Sequence, residues 1–440
     1  MADKAVTVVG LGRFGGGIGV TRWLCQQGAR VTVSDKASAD QLAESVAALK
    51  GLDLTLHLGG HREADFLGAD LLVVNPAVPK DMPLLRAAVA VGIPCTTEIN
   101  LFLERCPARV VGITGSVGKS TTTAMAGAIL AKAFPTHVGG NIGKSLLDEL
   151  PAIAPDHLVV LELSSFQLAD LPTIGLSPHV AVVTNLWPNH LDRHGTLEAY
   201  AAAKKNVFRF QGPSGVLVLN ADDPALAAWA AEAPGRVEFF RTAAVPPQDR
   251  FALMVPGEHN QADAQAAWAA AAAMGATREQ AADALRQFAG LPHRLQFVAE
   301  KRGVRYYNDS KCTTPGGAVV ALNAFEPRRT IIIVGGSDKG APFDDLGAAL
   351  AARAKAVIGI GDTREKILAA TLACRRGDSP LIERADDLSA AVQIAEKLAS
   401  PGDVVLLSPA CASYDMFTNY EERGGIFVHL VADLRGDGAR

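Results

Sequence analysis

The stretch GITGSVGKSTTTA at 112–124 has the residue types of a phosphate-binding loop. Its glycines, Gly115 and Gly118, precede Lys119 and Ser120, and the apolar run RVVGIT ends in the same stretch. In such a loop the backbone N–H groups surround a phosphate, the lysine reaches the outer phosphate oxygens and the hydroxyl binds Mg²⁺. The glycine spacing differs from the common pattern, so the loop alone leaves a nucleotide switch and an ATP-using enzyme both open.

Two later apolar runs end near residues of types that can bind metal ions. Glu162 ends the run LVVLE, and His190 lies in the polar stretch after VAVV. Because ligands gather at the carboxyl ends of parallel strands, we expect both side chains to meet Ser120 around a metal ion. Carboxylate and hydroxyl oxygens are ordinary ligands of Mg²⁺, whereas histidine is a less usual one.

A second glycine-rich turn lies near the N-terminus. The stretch VVGLGRFGGG contains Gly10, Gly12 and Gly15, and Asp35 ends the next strand-like run. This is the pattern of a dinucleotide-binding turn, in which glycines let the backbone approach a diphosphate and the acid contacts a ribose or a base. Taken alone it favours a nicotinamide-dependent dehydrogenase, and a tight turn without any ligand is the alternative.

The bulk composition excludes several classes of protein. The chain has 440 residues, of which 49% are hydrophobic and 20% are charged, with a net charge of −4. It shows no dense Lys/Arg cluster and no apolar run of the ~20 residues that span a membrane, so we expect neither nucleic-acid binding nor membrane insertion. The six cysteines are scattered without a C-x-x-C pair, which predicts reduced thiols in a cytoplasmic protein.

These candidate residues must be positioned by alternating strands and helices. The apolar runs are AVTVVG, RVTVSD, LLVVNPAV, RVVGITG, LVVLELSS, VAVVTNLW, GVLVLN, TIIIVGG, AVIGIGD and DVVLLSP. Helical stretches separate these runs, and this alternation predicts an α/β fold with mostly parallel sheets. Breaks near 104–111 and 289–296 divide the chain into three predicted domains, at 1–106, 107–293 and 294–440.

With these motifs in place, the chain resembles the Mur ligase family, whose members form amide bonds with ATP during the synthesis of peptidoglycan precursors. The loop GSVGKSTT fits that family better than it fits switch GTPases. The other matching stretches, in chain order, are GGNIG, ELSSFQL, HLDRHGTLEAYAAAK, GEHN, GLPHR, NDSKCTTP, GGSDKG and LSPACASYDMF. The resemblance therefore covers nearly the whole chain, and it implies a Rossmann-like first domain, a central P-loop ATPase domain and a Rossmann-like C-terminal domain.

The family reaction implied by the resemblance joins a carboxylate to an amine. In the members that add D-glutamate, ATP converts the carboxylate of UDP-N-acetylmuramoyl-L-alanine into an acyl phosphate, and the amine of D-glutamate then displaces phosphate. The resemblance implies the same reaction here. The stretches ELSSFQ, NDSK and LSPACAS are similar to those of the members that add D-glutamate. The resemblance also implies that the first glycine loop holds UDP, which removes the dehydrogenase interpretation.

The resemblance implies roles for residues of this chain at the positions that match the family's motifs. The expected ATP contacts are Gly115, Ser116, Val117, Gly118, Lys119, Ser120, Thr121, Asn260, Arg294 and Asp309. The expected ligands of two Mg²⁺ ions are Ser120, Glu162, His190 and Lys204, the last as a carbamate formed with CO₂. The expected catalytic residues are Lys119, Glu162, His190 and Lys204.

The resemblance also implies two sets of residues that contact the substrates. The expected contacts of the UDP-linked substrate are Gly12, Arg13, Phe14, Asp35, Lys36, Asn141, Ser164 and Gln167. The expected contacts of D-glutamate are Lys311, Thr313, Lys339, Ser413 and Tyr420. Without the resemblance, Lys204 in the stretch AAAKK gives no signal beyond an exposed helical lysine.

Several residues differ from the family pattern, and two other functions are alternatives to a Mur ligase. The chain departs from the family pattern at Asn189, Asn206, Asp263, Thr314 and Tyr420, and at NPAV at 75–78. A folylpolyglutamate synthetase also adds glutamate with ATP, but a two-domain layout is expected for it. A regulatory or transport P-loop ATPase is the rival from another class, and we expect the protein to be a monomer.

Overall fold

The computed structural model describes residues 1–12, 15–143, 145–241, 245–338 and 340–434. Three predicted site residues, Arg13, Phe14 and Lys339, lie outside these ranges. The chain forms two compact units. The first unit is Met1–Arg250 with Ala262–Ala284, and the second unit is Phe251–Gln261 with Leu285–Arg440.

The first unit begins with a five-stranded parallel sheet. Its strands are β1 (Ala5–Val9), β2 (Arg30–Asp35), β3 (Leu54–Leu58), β4 (Leu71–Val74) and β5 (Cys95–Thr96). Its helices are α1 (Gly16–Gln26), α2 (Ala43–Ala47), α3 (Glu63–Leu67), α4 (Pro83–Ala90) and α5 (Glu98–Leu103). The strand order is β3-β2-β1-β4-β5, so the order reverses at β1, which is where the first glycine loop follows.

The first unit continues with a six-stranded parallel sheet. Its strands are β6 (Arg109–Thr114), β7 (Thr136–Gly140), β8 (Leu158–Glu162), β9 (Val180–Val183), β10 (Val216–Asn220) and β11 (Arg236–Phe240). Its helices are α6 (Lys119–Leu130), α7 (Ser165–Leu168), α8 (Leu191–His194), α9 (Leu197–Arg209) and α10 (Pro224–Ala227). Two more helices follow in the chain, α11 (Glu258–Ala273) and α12 (Arg278–Arg286).

The order of this second sheet is what positions the phosphate loop. The order is β11-β10-β9-β6-β8-β7, so β6 lies between β8 and β9. Ile113 pairs with Glu162 on one side, and Thr114 pairs with Val183 on the other. The carboxyl ends of three strands therefore meet at the loop. These inner strands are covered on both faces, which is why their sequences are nearly continuous apolar runs.

The second unit holds a mixed six-stranded sheet. Its strands are β12 (Gln296–Lys301), β13 (Val304–Asn308), β14 (Thr330–Val334), β15 (Ala354–Gly359), β16 (Leu381–Arg384) and β17 (Val404–Leu407). Its helices are α13 (Pro315–Asn323), α14 (Asp344–Arg353), α15 (Arg364–Cys374), α16 (Leu388–Leu398) and α17 (Tyr420–Asp433). The order is β12-β13-β17-β14-β15-β16, and β12 is antiparallel to β13 while the other pairs are parallel.

The predicted fold class is confirmed, because the chain is α/β with mostly parallel sheets. The three sheets lie within 5–96, 109–240 and 296–407, each inside one of the predicted domain ranges. In the parts of the chain that the structure describes, no helix has the length and apolar character needed to cross a membrane.

Candidate active site

The phosphate loop between β6 and α6 needs glycine at two positions. Gly115 has a φ of 152° and Gly118 a φ of 81°, values that L-residues with a side chain rarely adopt. A Cβ on Gly115 would lie 1.9 Å from Thr184 Oγ1, and one on Gly118 would lie 2.3 Å from Asp263 Oδ1. The loop is therefore packed directly against the residues behind it, and its backbone is held in one shape.

The backbone N–H groups of this loop already have an acceptor. Asn185, which follows β9, accepts hydrogen bonds at its Oδ1 from Ser116 N at 3.0 Å and from Val117 N at 2.9 Å. Its Nδ2 donates to the Val117 carbonyl at 3.0 Å. The two N–H groups predicted to hold a phosphate are thus held by a neutral amide. A phosphate oxygen is a stronger acceptor for the same donors.

Two lysines converge on the carbonyl of Gly115. Lys119 Nζ donates to Gly115 O and to Ser116 O, both at 3.0 Å. Lys204 Nζ donates to Gly115 O at 2.8 Å and to Thr114 Oγ1 at 3.2 Å. Lys204 is only 1% exposed, although the sequence alone suggested an exposed helical lysine. It is carried on α9, which also buries Tyr200 and Phe208.

The environment of Lys204 disfavours its charged form. Burial, together with the nearby cation of Lys119, lowers the pKa of Lys204 to about 6. The ring of Tyr200 lies 4.6 Å from its Nζ. A lysine with such a pKa is largely a neutral amine at pH 7, and a neutral amine is a nucleophile.

Glu162 has a buried carboxylate oxygen that lacks a hydrogen-bond donor. The side chain is 3% exposed, and its Oε1 accepts from Asn141 Nδ2 at 2.8 Å. No donor among the described residues reaches its Oε2. An unpaired buried carboxylate oxygen is costly unless a cation completes it. The unpaired Oε2 is compatible with a hard cation, and Glu162 ends β8, the strand next to the one that leads into Lys119 and Ser120. Its role as a metal ligand stays a prediction.

The donor set around the loop fits Mg²⁺ better than a softer metal. Within the described ranges, no three His, Cys, Asp or Glu side chains cluster as a metal site. Zn²⁺ sites usually have such a cluster, whereas Mg²⁺ is commonly held by one or two protein oxygens and by substrate phosphates. Glu162 and the hydroxyl of Ser120 supply oxygens of that kind.

His190 lies close to the helix that follows Glu162. It precedes α8 with a φ of 54°, and its ring centroid is 5.0 Å from that of Phe166 in α7. His194, one turn further on, contacts Ser165 Oγ through its Nε2 at 3.0 Å. These contacts fix the segment next to α7, and the metal-binding role of His190 stays a prediction.

In the first glycine loop, Asp35 is used by the backbone. Its Oδ2 accepts from Leu11 N at 2.8 Å and from Gly12 N at 3.3 Å. Its Oδ1 accepts from Ala37 N at 2.8 Å. Both oxygens therefore hold the loop and the end of β2 together, while the neighbouring Lys36 is exposed. If Asp35 also contacts a substrate base, as predicted, its carboxylate must accept from that base in addition to these backbone N–H groups.

Ser164 and Gln167 also have structural partners. They form a reciprocal cap at the start of α7, in which Gln167 Oε1 accepts from Ser164 N and Oγ, both at 2.9 Å. Ser164 Oγ in turn accepts from Gln167 N at 3.3 Å. The motif ELSSFQ thus places Glu162 and fixes the helix that follows it, and substrate contact by these two residues stays a prediction.

In the second unit, Asp309 is the central buried acid. Its Oδ2 accepts from Ser408 Oγ at 2.7 Å, and its Oδ1 accepts from Leu295 N at 3.1 Å. Burial raises the pKa of Asp309 to about 6, against the opposing effects of these bonds and of the Arg294 charge. Asn260, another predicted ATP contact, is 5% exposed and donates from Nδ2 to the Pro256 carbonyl.

A buried arginine that was not predicted connects the segments that carry the described D-glutamate contacts. Arg423 is 0% exposed, and its guanidinium donates to Ser310 Oγ at 3.0 Å, to Ser310 O at 2.8 Å and to Cys411 O at 3.2 Å. Ser310 Oγ donates to Tyr420 O at 2.8 Å. Arg423 thereby ties together the segments that carry Lys311, Thr313, Ser413 and Tyr420. Lys311 Nζ lies 5.3 Å from the centroid of the Tyr420 ring.

Other residues missed at the phosphate loop had only weak signals. Asn185 follows an apolar run, but nothing in its spacing indicated a contact with Ser116 and Val117. Asp263 accepts from Thr122 Oγ1 at 3.2 Å through the oxygen that lies behind Gly118. Its only signal was that the family usually has asparagine there.

The parallel sheets, the phosphate loop and the buried lysine and carboxylate beside it define a P-loop nucleotide-dependent enzyme. Residues 4–97 match the MurD-like N-terminal domain of Mur ligases, residues 113–252 match the Mur ligase middle domain, and residues 293–411 match the Mur ligase glutamate ligase domain. The chain belongs to the Mur ligase family. Members of this family are ATP-dependent amide ligases that use Mg²⁺.

Individual relatives match over nearly their whole length. The chain is 44% identical to a UDP-N-acetylmuramoylalanine–D-glutamate ligase of Symbiobacterium thermophilum, over 98% of each chain. It is 40% identical to the ligase of the same name from a Roseiflexus species, over 98% of this chain and 99% of that one. Among solved structures, its fold is similar to that of a UDP-N-acetylmuramate–alanine ligase of Thermotoga maritima. That match has a TM-score of 0.59 at 20% identity and covers 98% of this chain and 100% of the other.

Proposed function

We propose that the protein adds D-glutamate to UDP-N-acetylmuramoyl-L-alanine, with ATP, in the synthesis of peptidoglycan precursors. The proposal is carried by the arrangement at the phosphate loop, where Lys119 and Lys204 share the Gly115 carbonyl and Glu162 lies on the adjacent strand. The names and the full-length identity of the relatives support this choice of substrates. These nucleotide-linked substrates are cytoplasmic, so we expect the enzyme to act there, as a monomer.

The chemistry asks for charge neutralisation more than for covalent catalysis. The acceptor carboxylate takes the γ-phosphoryl group of ATP, which gives an acyl phosphate and ADP. The D-glutamate amine then attacks the acyl carbon, loses a proton and releases phosphate. Lys119 is the residue that balances the phosphate charge, while the loop N–H groups give up Asn185 and hold phosphate oxygens.

The same site is proposed to bind Mg²⁺. Ser120, Glu162, His190 and a carbamate on Lys204 would hold Mg²⁺. The bound ions would neutralise the phosphates and polarise the acceptor carboxylate. The free Oε2 of Glu162 is the feature that supports this assignment.

The carbamate on Lys204 is chemically reasonable in this environment. Carbamate formation joins the uncharged amine nitrogen to the carbon of CO₂ and releases one proton, so it requires the neutral amine. Because the pKa of Lys204 is lowered to about 6, the reactive form is present at neutral pH. The product is an anion in place of a cation, and an anion beside Lys119 and Mg²⁺ is stabilised where an ammonium is repelled.

The remaining roles are divided between the two units. In the first unit, the proposed contacts of the UDP-linked substrate are Gly12, Arg13, Phe14, Asp35, Lys36, Asn141, Ser164 and Gln167. In the second unit, the proposed ATP contacts are Asn260, Arg294 and Asp309, and the proposed D-glutamate contacts are Lys311, Thr313, Lys339, Ser413 and Tyr420. We further propose functional domains at 1–106, 107–293 and 294–440, in line with the three sheets.

A ligation assay tests the function. The protein is incubated with ATP, Mg²⁺, UDP-N-acetylmuramoyl-L-alanine and one amino acid at a time, and phosphate release is followed. We expect release that depends on D-glutamate. Release with L-glutamate only, or with a folate acceptor, would assign a folylpolyglutamate synthetase instead. Release without any amino acid would indicate a plain P-loop ATPase.

Carbon-13 NMR with labelled bicarbonate tests the carbamate. We expect a carbamate resonance in the wild-type protein that is absent from Lys204→Ala, which should also lose most ligase activity. Lys205→Ala is the matched control, because Lys205 is the next residue and instead pairs with Glu232 at 2.5 Å. The amine gains a proton as the pH falls through about 6, so the resonance should persist above that pH and disappear below it. A fully active Lys204→Ala would reject the assignment.

A further inference from the structure

A cavity away from the phosphate loop lies in the first unit, beside the edge of its five-stranded sheet. It has a volume of about 390 Å³, which is within the range of small-molecule sites. Most of its wall is apolar and comes from the loop after β4, from α4 and from β5. The apolar lining residues are Val74, Pro76, Val78, Leu85, Val89 and Ala90. None of the predicted site residues that the structure describes lines it.

One wall of the cavity contains an amide with an unused acceptor. Asn100 is 0% exposed, and its Nδ2 donates to Asp170 O at 3.0 Å and to Thr173 Oγ1 at 2.9 Å. A carbonyl oxygen only accepts, so Asp170 fixes which end of the amide is the nitrogen. Within the described part of the chain, no donor reaches the Oδ1 that remains. A buried acceptor left without a donor is costly.

Two further polar groups on the wall also lack partners. The buried hydroxyl of Thr96, at the end of β5, has no hydrogen-bond partner among the described residues. Arg86 of α4 is exposed at the rim, and its guanidinium has no ion-pair partner in the described ranges. The other rim cation, Lys80, is already paired with Asp170. Among the described residues that line the cavity, the cation without an ion-pair partner is therefore Arg86.

We propose that this cavity is a second ligand site, for a small organic acid with an apolar body and one hydrogen-bond donor. The apolar wall would take the body of the ligand. Arg86 would pair with its carboxylate at the rim, and Asn100 Oδ1 or the Thr96 hydroxyl would accept from its donor. Such a ligand complements each group that is unused in the structure, and none of these groups takes part in the proposed reaction.

The position of the cavity gives it a route to the first glycine loop. Val78 lines the cavity, and its Cγ2 lies 2.9 Å from where a Cβ on Gly10 would be. Asn75 also lines the cavity, and its Nδ2 lies 3.3 Å from the corresponding point on Gly12. A ligand in the cavity would therefore contact the segment that packs on the glycine loop. Resting on the proposed function, this predicts that the occupied cavity changes the KM for the UDP-linked substrate.

Calorimetric titration without ATP or substrates tests the site, so that its outcome does not depend on the ligase assignment. The probe is indole-3-acetate, which has an apolar body, a carboxylate and one N–H donor. We expect saturable binding in the millimolar range or tighter. We expect about fivefold weaker binding of 1-methylindole-3-acetate, which lacks the donor. Tryptophol, which lacks the carboxylate, should bind up to about fivefold more weakly.

Two variants connect the binding to this cavity. Ala90→Trp at the exposed end of α4 should fill the space and abolish binding of all three probes, while thermal unfolding and ATP binding stay as in the wild type. Arg86→Gln should weaken indole-3-acetate to the level of tryptophol and leave tryptophol unchanged. The proposal is overturned if indole-3-acetate does not bind at millimolar concentration, or if it binds Ala90→Trp and Arg86→Gln as tightly as the wild type.

Discussion

The two glycine loops of the first unit are built alike. Each follows an inner strand of a parallel sheet and leads into a helix. In each, a side chain at or just after the end of a neighbouring strand accepts from two successive backbone N–H groups. In the first loop the acceptor is the Asp35 carboxylate, bonded to Leu11 N and Gly12 N. In the phosphate loop it is the Asn185 amide, bonded to Ser116 N and Val117 N. The two acceptors differ by one negative charge.

Because of that charge, the N–H groups of the first loop are already bonded to an anion of the protein itself. The N–H groups of the phosphate loop are bonded to a neutral group that an anionic ligand can replace. A carboxylate holds N–H donors strongly and repels a phosphate brought to the same place. A neutral amide holds them more weakly and repels nothing. Only the phosphate loop is also contacted by two buried or half-buried lysines, Lys119 and Lys204, among the residues that the structure describes. The same pair of backbone N–H groups thus either holds a loop to the protein or is available to an anion, and the charge of the side-chain acceptor determines which.

The largest effect should come from removing the cation of the phosphate loop. We expect Lys119→Ala to lower kcat on the order of 10³-fold, because the charge that develops on the transferred phosphoryl group loses its nearest protein cation. Steady-state phosphate release measures this. Lys132→Ala is the control, since Lys132 follows the far end of α6 and pairs with Asp283 at 2.6 Å. Equal losses in the two variants would show that the effect is general and not specific to the loop.

An intermediate effect should follow from giving the phosphate loop the acceptor of the first loop. Asn185→Asp keeps the size of the side chain and adds a carboxylate beside Ser116 N and Val117 N. We expect ATP affinity to fall on the order of 100-fold, because an anion at about 4 Å from a phosphate is strongly repelled in a partly buried site. Equilibrium nucleotide titration measures this change.

Asn220→Asp provides the control for added charge on the same sheet. Asn220 ends β10, next to β9. Its Oδ1 accepts from Asp222 N at 3.0 Å and its Nδ2 donates to Thr184 O at 3.2 Å, so neither atom bonds to the backbone of the phosphate loop. We expect its ATP affinity to stay close to that of the wild type. If Asn185→Asp binds ATP normally, the loop N–H groups are not the phosphate site and the comparison of the two loops fails.

The sequence predicted the inner strands and missed the edges. All ten apolar runs correspond to strands with another strand on each side, among them β1, β6 and β14, and β13 is the one inner strand of the described sheets that was not predicted. The six edge strands were not predicted; they are β3, β5, β7, β11, β12 and β16. Edge strands such as RVEFF in β11 are partly exposed, so they lack the continuous apolar run that identifies a strand covered on both faces.

The site was predictable where one local motif contains its chemistry. Lys119 and Ser120 follow from loop spacing, and Glu162 follows from its place at a strand end. The site position of Lys204 could not be predicted from a local motif, because its burial arises from the packing of α9 on β6 and the stretch AAAKK does not indicate it. Arg423 was missed for the same reason, because its partner Ser310 lies 113 residues away in the sequence. Contacts between distant segments depend on the tertiary fold, which spacing does not report.

The smallest effect should be on the first loop, and it distinguishes two roles of Asp35. Asp35→Asn keeps an acceptor for Leu11 N and Gly12 N but removes the charge, so we expect the free energy of unfolding to fall by about 1 kcal/mol, the usual difference between charged and neutral hydrogen bonds. Urea unfolding measures this, with Asp40→Asn on the exposed segment after β2 as the control. If the carboxylate serves mainly the loop, the KM for the UDP-linked substrate stays nearly constant while stability falls. If it serves mainly the substrate base, the KM rises while stability is unchanged. The N–H groups of the first loop would then bind the ligand, as proposed for those of the phosphate loop.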